Sequence, residues 1–291
     1  MPFSPPAWPS RPFCSALAAA VLTLATQTVA FATAPKRVVS INMCADQLLL
    51  AFADRDQIAG LSPWVDYAPM SFLAGKADGL PKLGATAEEV MKARADLVVG
   101  GQFTRRQTRR LLKRHGYPIM EIRPVRSLDD AKLQAVEIAE ALGHKDRGEA
   151  LVRGIDAEVA KLRQTVGKSG LSALYLQRRG YVAGSKSLMT SLLQEAGLEN
   201  AAQRMGLSRG GRVPLEAVIR SDADLLVVGT AGARAEDQGS GMLRHPALDR
   251  RFPADRRIVV PESLTVCGGP GLIDAIRHIG SEVQRVLDHR K

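Results

Sequence analysis

The chain carries one short unit twice, and that duplication limits its architecture more than any other feature. Glu88-Glu89-Val90-Met91-Lys92-Ala93-Arg94-Ala95-Asp96-Leu97-Val98-Val99-Gly100 is matched by Glu216-Ala217-Val218-Ile219-Arg220-Ser221-Asp222-Ala223-Asp224-Leu225-Leu226-Val227-Val228-Gly229. Glu88 aligns with Glu216, Val90 with Val218, Lys92 with Arg220 and Asp96 with Asp224. Each copy reads as a short helix, a tight polar turn and a strand that is apolar throughout. Such a strand is buried on both faces, as in a parallel sheet covered by helices. Two copies predict an α/β chain of two similar lobes, each with a parallel central sheet.

The 291 residues suffice for two core-forming lobes, and 45% apolar with 24% charged residues is an ordinary globular balance. The net charge of +10 asks for a partner. Nucleic acid is disfavoured, because aromatic residues are only 4% and the cations read as dispersed along the chain. A membrane-surface role needs a basic amphipathic helix, and none stands out in the sequence. An anionic small ligand, an acidic partner or a merely basic soluble surface remain.

At the amino terminus, Arg11 precedes an uncharged apolar run from Phe13 to Ala25, and Ala30-Phe31-Ala32 follows. A positive start, a run too short for a membrane span and small residues before the cut describe a cleaved signal peptide over residues 1–32. Cleavage after Ala32 or Ala30 is expected, with export to the periplasm; Cys14 lies too early to be a lipidated cysteine. Cys44 and Cys267 then remain, and neither belongs to a Cys-x-x-Cys pair. An oxidising compartment permits a disulfide between them.

Strands are expected at Arg37–Ile41, Gln57–Leu61, Asp96–Val99 and Tyr117–Ile122, alternating with helices, one of them the strongly basic Thr104–His115. Ser127 caps a helix that stops at Gly143. Leu151, Ile155, Val159, Leu162 and Val166 then form the apolar stripe of a long helix from Asp146. A second lobe follows, with strands at Ser172–Leu176, Asp224–Val228 and Arg257–Val260. Pro270 opens the last helix. The expected organisation is a lobe over 35–143, a connecting helix over 144–168 and a lobe over 169–291.

Catalytic motifs are absent from the sequence. Gly184-Ser185-Lys186-Ser187 lacks the Gly-Lys-Ser order of a phosphate-binding loop, and there is neither a Gly-x-Ser-x-Gly elbow nor a His-Glu-x-x-His pair. His115, His144, His245, His278 and His289 are dispersed. Asp274 and His278 share a helix face, which reads as a surface or capping pair. No catalytic residue, resident cofactor or protein-held metal is therefore expected.

Ligands of open parallel sheets bind outside the carboxyl ends of the strands. Those loops hold Asn42, Met43 and Cys44, then Trp64 and Tyr67, then Gln102 and Arg105. In the second half they hold Arg178, Arg179 and Tyr181, then Thr265 and Cys267. Two lobes facing across these loops would enclose a cleft with aromatic walls and guanidinium groups suited to carboxylate, catecholate or phosphate oxygens.

These residues carry a resemblance. Arg37-Val38-Val39-Ser40-Ile41, the Pro-Trp-Val-Asp-Tyr-Ala-Pro loop at 63–69, Glu88 with Asp96-Leu97-Val98-Val99, and Gly197-Leu198-Glu199-Asn200 stand in the order found in one family. The whole chain after the signal peptide resembles the periplasmic solute-binding proteins of the ferric-siderophore and vitamin B12 class of ABC importers. The resemblance implies a class III binding-protein fold, two lobes joined by one long helix with limited closure. It implies a monomer that carries a metal chelate to the permease and ATPase subunits of an importer. It also implies that Glu88 and Glu216 dock on permease arginines.

Arg105, Arg178 and Arg179 favour an anionic ferric siderophore; cobalamin or haem is the alternative within the family. An exported chelatase-like enzyme and a binder of anionic polymers are readings from other classes. Cys44 and Cys267 depart from the family pattern. Facing each other across the cleft, they would form a lobe-bridging disulfide or offer a thiolate to a metal centre; otherwise they are two thiols that never meet.

Overall fold

Both copies of the repeated unit fold alike. In the computed structural model, which describes residues 33–167, 169–230 and 239–290, α2 (Ala87–Lys92) leads to β3 (Leu97–Gly101), and α7 (Leu215–Ile219) leads to β9 (Leu225–Gly229). The expected signal peptide and most of the loop after Thr230 lie outside the described residues. Every residue of β3 and β9 is buried. Each pairs in parallel with the first strand of its lobe, β1 (Val38–Ser40) or β5 (Ser172–Gln177).

The repeated aspartate explains why both pairs hold register. Asp96 accepts hydrogen bonds from the backbone N–H groups of Lys36 (2.7 Å) and Arg37 (2.9 Å), at the start of β1. Asp224 accepts from the backbone N–H and the hydroxyl of Ser172, both at 2.9 Å, at the start of β5. Those bonds and the Arg256 and Arg290 guanidinium groups outweigh burial and hold the Asp224 carboxyl below its usual range.

The amino-terminal sheet has the order β2-β1-β3-β4, all parallel, with β2 at Ile58–Gly60 and β4 at Ile119–Ile122. α1 (Met43–Phe52) and α3 (Arg106–Arg114) follow β1 and β3, so the strand order diverges between those two loops. The carboxyl-terminal sheet corrects the expectation of a wholly parallel lobe. Its β10 (Arg257–Val260), β9, β5 and β7 (Glu199–Asn200) are parallel, but β6 (Tyr181–Val182) pairs antiparallel with the end of β5, and β8 (Gly211–Arg212) pairs antiparallel with β6. Arg179 and Gly180, with φ of 59° and 67°, turn the chain back on itself straight after β5. α6 (Leu188–Glu195), α8 (Pro246–Arg251), α9 (Glu262–Thr265) and α10 (Leu272–Asp288) complete the lobe. α8, absent from the sequence reading, starts with proline behind a His245 cap on the Ala247 N–H.

One long helix joins the lobes, as expected, and a second packs along it into both cores. α5 (Lys145–Val166) is fastened at its start to the first lobe, where Arg147 donates to the Phe52 carbonyl (2.7 Å) and meets Asp54 (2.5 Å). Further along, Ile155, Val159, Leu162 and Val166 enter the core of the second lobe. α4 (Leu128–Ala141) divides in the same way: Leu128 and Ala131 belong to the second core, and Ala135, Ile138 and Ala139 to the first. Gly148 lets the pair approach closely, because a Cβ there would stand 2.7 Å from that of Ala139 and 2.8 Å from the Ala135 carbonyl oxygen.

Candidate ligand-binding cleft

The loops at the carboxyl ends of the strands meet where the lobes face each other. Asn42 caps α1, its side-chain oxygen accepting from the N–H groups of Cys44 (2.9 Å) and Ala45 (3.2 Å). Its amide nitrogen donates to the Thr104 hydroxyl at 2.8 Å, which ties the β1 and β3 loops together. Two residues after Asn42, Cys44 is joined to Cys267 as a disulfide with a Cα–Cα distance of 4.9 Å. The bond links the first helix of one lobe to the loop before α10 of the other. That loop packs closely on both sides: a Cβ at Gly268 would meet Val125 at 2.7 Å, and one at Gly269 would meet Leu48 of the first lobe's core at 3.5 Å. Gly268 also has φ of 57°, a conformation that glycine adopts without strain.

A cavity of about 470 Å³ lies between the lobes. Tyr67 and Met70 form its wall on the first lobe, and Val125, from the segment before α4, packs against the core of the second. On the second lobe, the ends of three parallel strands supply Tyr175 and Gln177 from β5, Gly229 from β9, and Glu262 and Thr265 after β10. Leu188, Met189 and Val266 add apolar surface. Glu262 reaches the end of β9 because residue 229 is glycine; a Cβ there would be 2.1 Å from its carboxylate. Thr230 donates to the same carboxylate at 3.2 Å. Burial, reinforced by the Glu262 charge, pushes the Tyr175 phenol well above its usual range, so it stays protonated at neutral pH. The Arg178 Nε donates to the Ser240 hydroxyl at 3.2 Å at the rim.

Of the residues expected in the cleft, Tyr67, Arg178 and Thr265 line this cavity. Asn42, Cys44, Gln102 and Cys267 line a smaller hollow beside the disulfide, with Phe103. Neither lining includes Met43, Trp64, Arg105, Arg179 or Tyr181. Arg105, with φ of 47°, places its guanidinium 5.1 Å from the Trp64 ring centroid. Arg179 turns the chain and its N–H donates to the Gly239 carbonyl at 2.6 Å. Asp274 pairs with Arg277 at 3.3 Å, and the His278 ring contacts the Val259 carbonyl oxygen at 2.7 Å, so the two make no acid–base couple. Met70, Tyr175, Met189 and Glu262 escaped the sequence reading. The fully apolar setting of β5 made Tyr175 look like scaffold, although it was the one polar atom in that strand's middle. No cluster of three or more His, Cys, Asp or Glu that could hold a metal occurs among the described residues.

With this geometry in view, the family model described as "Periplasmic binding protein" matches residues 38–256. The chain belongs to the periplasmic binding protein family. Its two-lobed α/β architecture is the class III binding-protein fold. The periplasmic heme-binding protein RhuT from Roseiflexus sp. RS-1 in apo form superposes with a TM-score of 0.68, 24% identity, and coverage of 86% of this chain and 99% of that one. The periplasmic vitamin B12 binding protein BtuF of Vibrio cholerae gives 0.66 and 14% identity over 87% and 98%. A cobalamin-binding protein of Halobacterium salinarum is 23% identical over 224 residues, 76% of this chain; the match spans 61% of that relative's length.

Two predictions concern the walls. The disulfide closes a separation of 223 residues, for which the chain-entropy model gives about 5 kcal/mol and measured cases about 2–4 kcal/mol. Replacing both cysteines by serine should lower unfolding free energy within that range in urea titrations. An unchanged midpoint, or two free thiols in the denatured, unreduced protein, would contradict the bond.

Asp46 sits in the first turn of α1, fully buried, and accepts from the backbone N–H of Ser62 (2.9 Å) and from its hydroxyl. Burial outweighs these bonds and lifts its pKa to about 6 from 3.8. Because the folded state favours the protonated acid, the group's stabilisation is complete below about pH 4 and is lost as pH rises through about 6. Relative to Asp46→Asn, the native chain should therefore gain about 1–2 kcal/mol between pH 7.5 and pH 5. Urea unfolding at both pH values tests this, and a pH-independent difference refutes it.

Proposed function

We propose that the chain captures a metal chelate in the interlobe cavity and delivers it to the permease of an ABC importer, without transforming it. The ligand it fits best is a tetrapyrrole of the haem or corrinoid type. One observation carries this reading. The cavity is walled from both lobes by Tyr67, Met70, Val125, Leu188 and Met189, while its ionisable side chains are Arg178, Glu262 and the phenols Tyr67 and Tyr175. Apolar patches interleaved with polar groups, Gln177, Ser187 and Thr265 among them, suit a ligand with apolar faces and a polar periphery. Thioethers add adaptable, polarisable surface.

The anionic ferric siderophore remains the second reading, and Arg178 on the cavity wall favours it. Arg105 and Arg179, which the sequence assigned to the same task, lie outside that wall. The names borne by the heme-, B12- and cobalamin-binding relatives support a chelate of one of these kinds. A signal-peptide-directed periplasmic location accords with the family's name.

Titration of the purified protein with haemin, cyanocobalamin and ferric siderophores, followed by chelate absorbance, tests the ligand. A tetrapyrrole should saturate at one site, and Met189→Glu should weaken it at least about ten-fold. Saturation by a siderophore alone selects the second reading, and no response to any chelate removes the function.

Glu88 and Glu216 open the first turns of α2 and α7 and are exposed, each with an exposed cation one turn on, Lys92 or Arg220. We assign them to permease docking. Reversing both to lysine should abolish stimulation of the importer's ATPase and leave chelate affinity unchanged; stimulation that survives the double reversal refutes the assignment.

A further inference from the structure

The excess positive charge is less dispersed than the sequence suggested. α3 contains Arg106, Arg109, Arg110, Lys113 and Arg114 and no acidic residue. The helix sorts these cations. Arg109 and Lys113 turn to one carboxylate, Glu121 on β4, at 2.7 and 2.6 Å. Arg106, Arg110 and Arg114 are exposed, lie one turn apart along one face, and have no ion-pair partner among the described residues. The stripe is about 12 Å long at 1.5 Å per residue. The opposite face is apolar: Leu112 is buried and Leu111 packs with it in the core beneath. α3 is thus a basic amphipathic helix, the element whose absence had counted against a surface role.

Other exposed arginines are either ion-paired or, like Arg209, Arg220 and Arg250, without an ion pair among the described residues but not part of a three-cation face on one helix. Arg163 meets Glu195 at 2.6 Å, Arg204 meets Asp222 at 2.6 Å, and Arg277 meets Glu158 at 2.7 Å. The stripe also has a defined neighbourhood. Thr108 of α3 donates to the Ala85 carbonyl at 3.3 Å, beside the start of α2, and Arg105 lies close enough to Glu89 to help lower its pKa. The basic helix therefore adjoins the helix that presents Glu88.

We infer that the Arg106–Arg110–Arg114 face of α3 is a docking surface for anionic phospholipid headgroups. The charge is complementary to a phosphate-rich layer, in which each arginine donates in a fork to phosphate oxygens. Gln107, the other exposed residue in the first turn of α3, is polar, and the exposed Phe103 lies in the loop before the helix, outside the stripe itself. A periplasmic protein held weakly by this face would search for its permease along the membrane surface instead of through the whole compartment. The inference does not depend on which chelate fills the cleft.

Flotation of the purified protein with vesicles tests it, using phosphatidylcholine alone and phosphatidylcholine with phosphatidylglycerol. The protein should float with the anionic vesicles at low salt, stay behind with neutral ones, and be released by high salt. Each arginine replaced by glutamine should reduce partitioning about five-fold, and Arg106→Gln with Arg110→Gln and Arg114→Gln about a hundred-fold. A control with the same charge loss at other exposed positions, Lys161→Gln with Arg209→Gln and Arg250→Gln, should retain most of the binding. All six side chains are exposed, so unchanged thermal unfolding should certify both triple variants. No flotation at low salt, or equal loss in the control, overturns the inference. It also fails if the stripe matters only when permease is present in neutral lipid, since the partner is then an acidic protein surface.

Discussion

The α4–α5 pair must satisfy two hydrophobic cores at once, and the geometry of the cleft depends on it. Ala135, Ile138 and Ala139 are committed to one lobe, while Leu128, Ile155, Val159 and Leu162 are committed to the other. Burying an aliphatic side chain of this size contributes about 1.5–3 kcal/mol. Several such residues on each side outweigh the Cys44–Cys267 bond, and both exceed exposed ion pairs such as Arg163–Glu195, at about 0–1 kcal/mol each. The helices therefore set how the lobes face each other, and the disulfide from α1 ties the lobes a second time. Walls held in this way lose little freedom when a ligand enters, which favours affinity.

Duplication built the scaffold but not the site. In both lobes an aspartate at the start of the repeated strand clamps the neighbouring strand, through Lys36 and Arg37 or through Ser172. The strand ends then diverge. Around the first, Asn42 and Thr104 bond each other, and a Cβ at Gly100 would strike Ile41 at 2.7 Å. Around the second, Gly229 admits the Glu262 carboxylate, and Tyr175 presents a neutral phenol beside it. Most of the cavity's polar character thus comes from one lobe, with Tyr67 and Met70 closing over it from the other.

The two lobes, their strands and the long helix were legible because they rest on local periodicity. A run such as Leu97–Val98–Val99 can be buried only inside a covered sheet, and the stripe from Leu151 to Val166 only on a packed helix. Side-chain direction in the loops was not legible. Arg105 and Arg179 both sit at positive φ, a backbone state that composition does not announce outside glycine, and it takes them away from the cavity. Met70, Tyr175 and Met189 were hidden for the opposite reason, since an apolar or aromatic residue in a regular element looks like core.

The sequence by itself determined the class of fold, the duplication, and the positions of Glu88 and Glu216, because each follows from residues close together in the chain. Only the tertiary structure decided that Cys44 meets Cys267, that α4 shares the bridging with α5, and that the arginines of α3 divide between Glu121 and open solvent. Those outcomes depend on contacts between residues far apart in sequence, where burial and close packing select one partner among many.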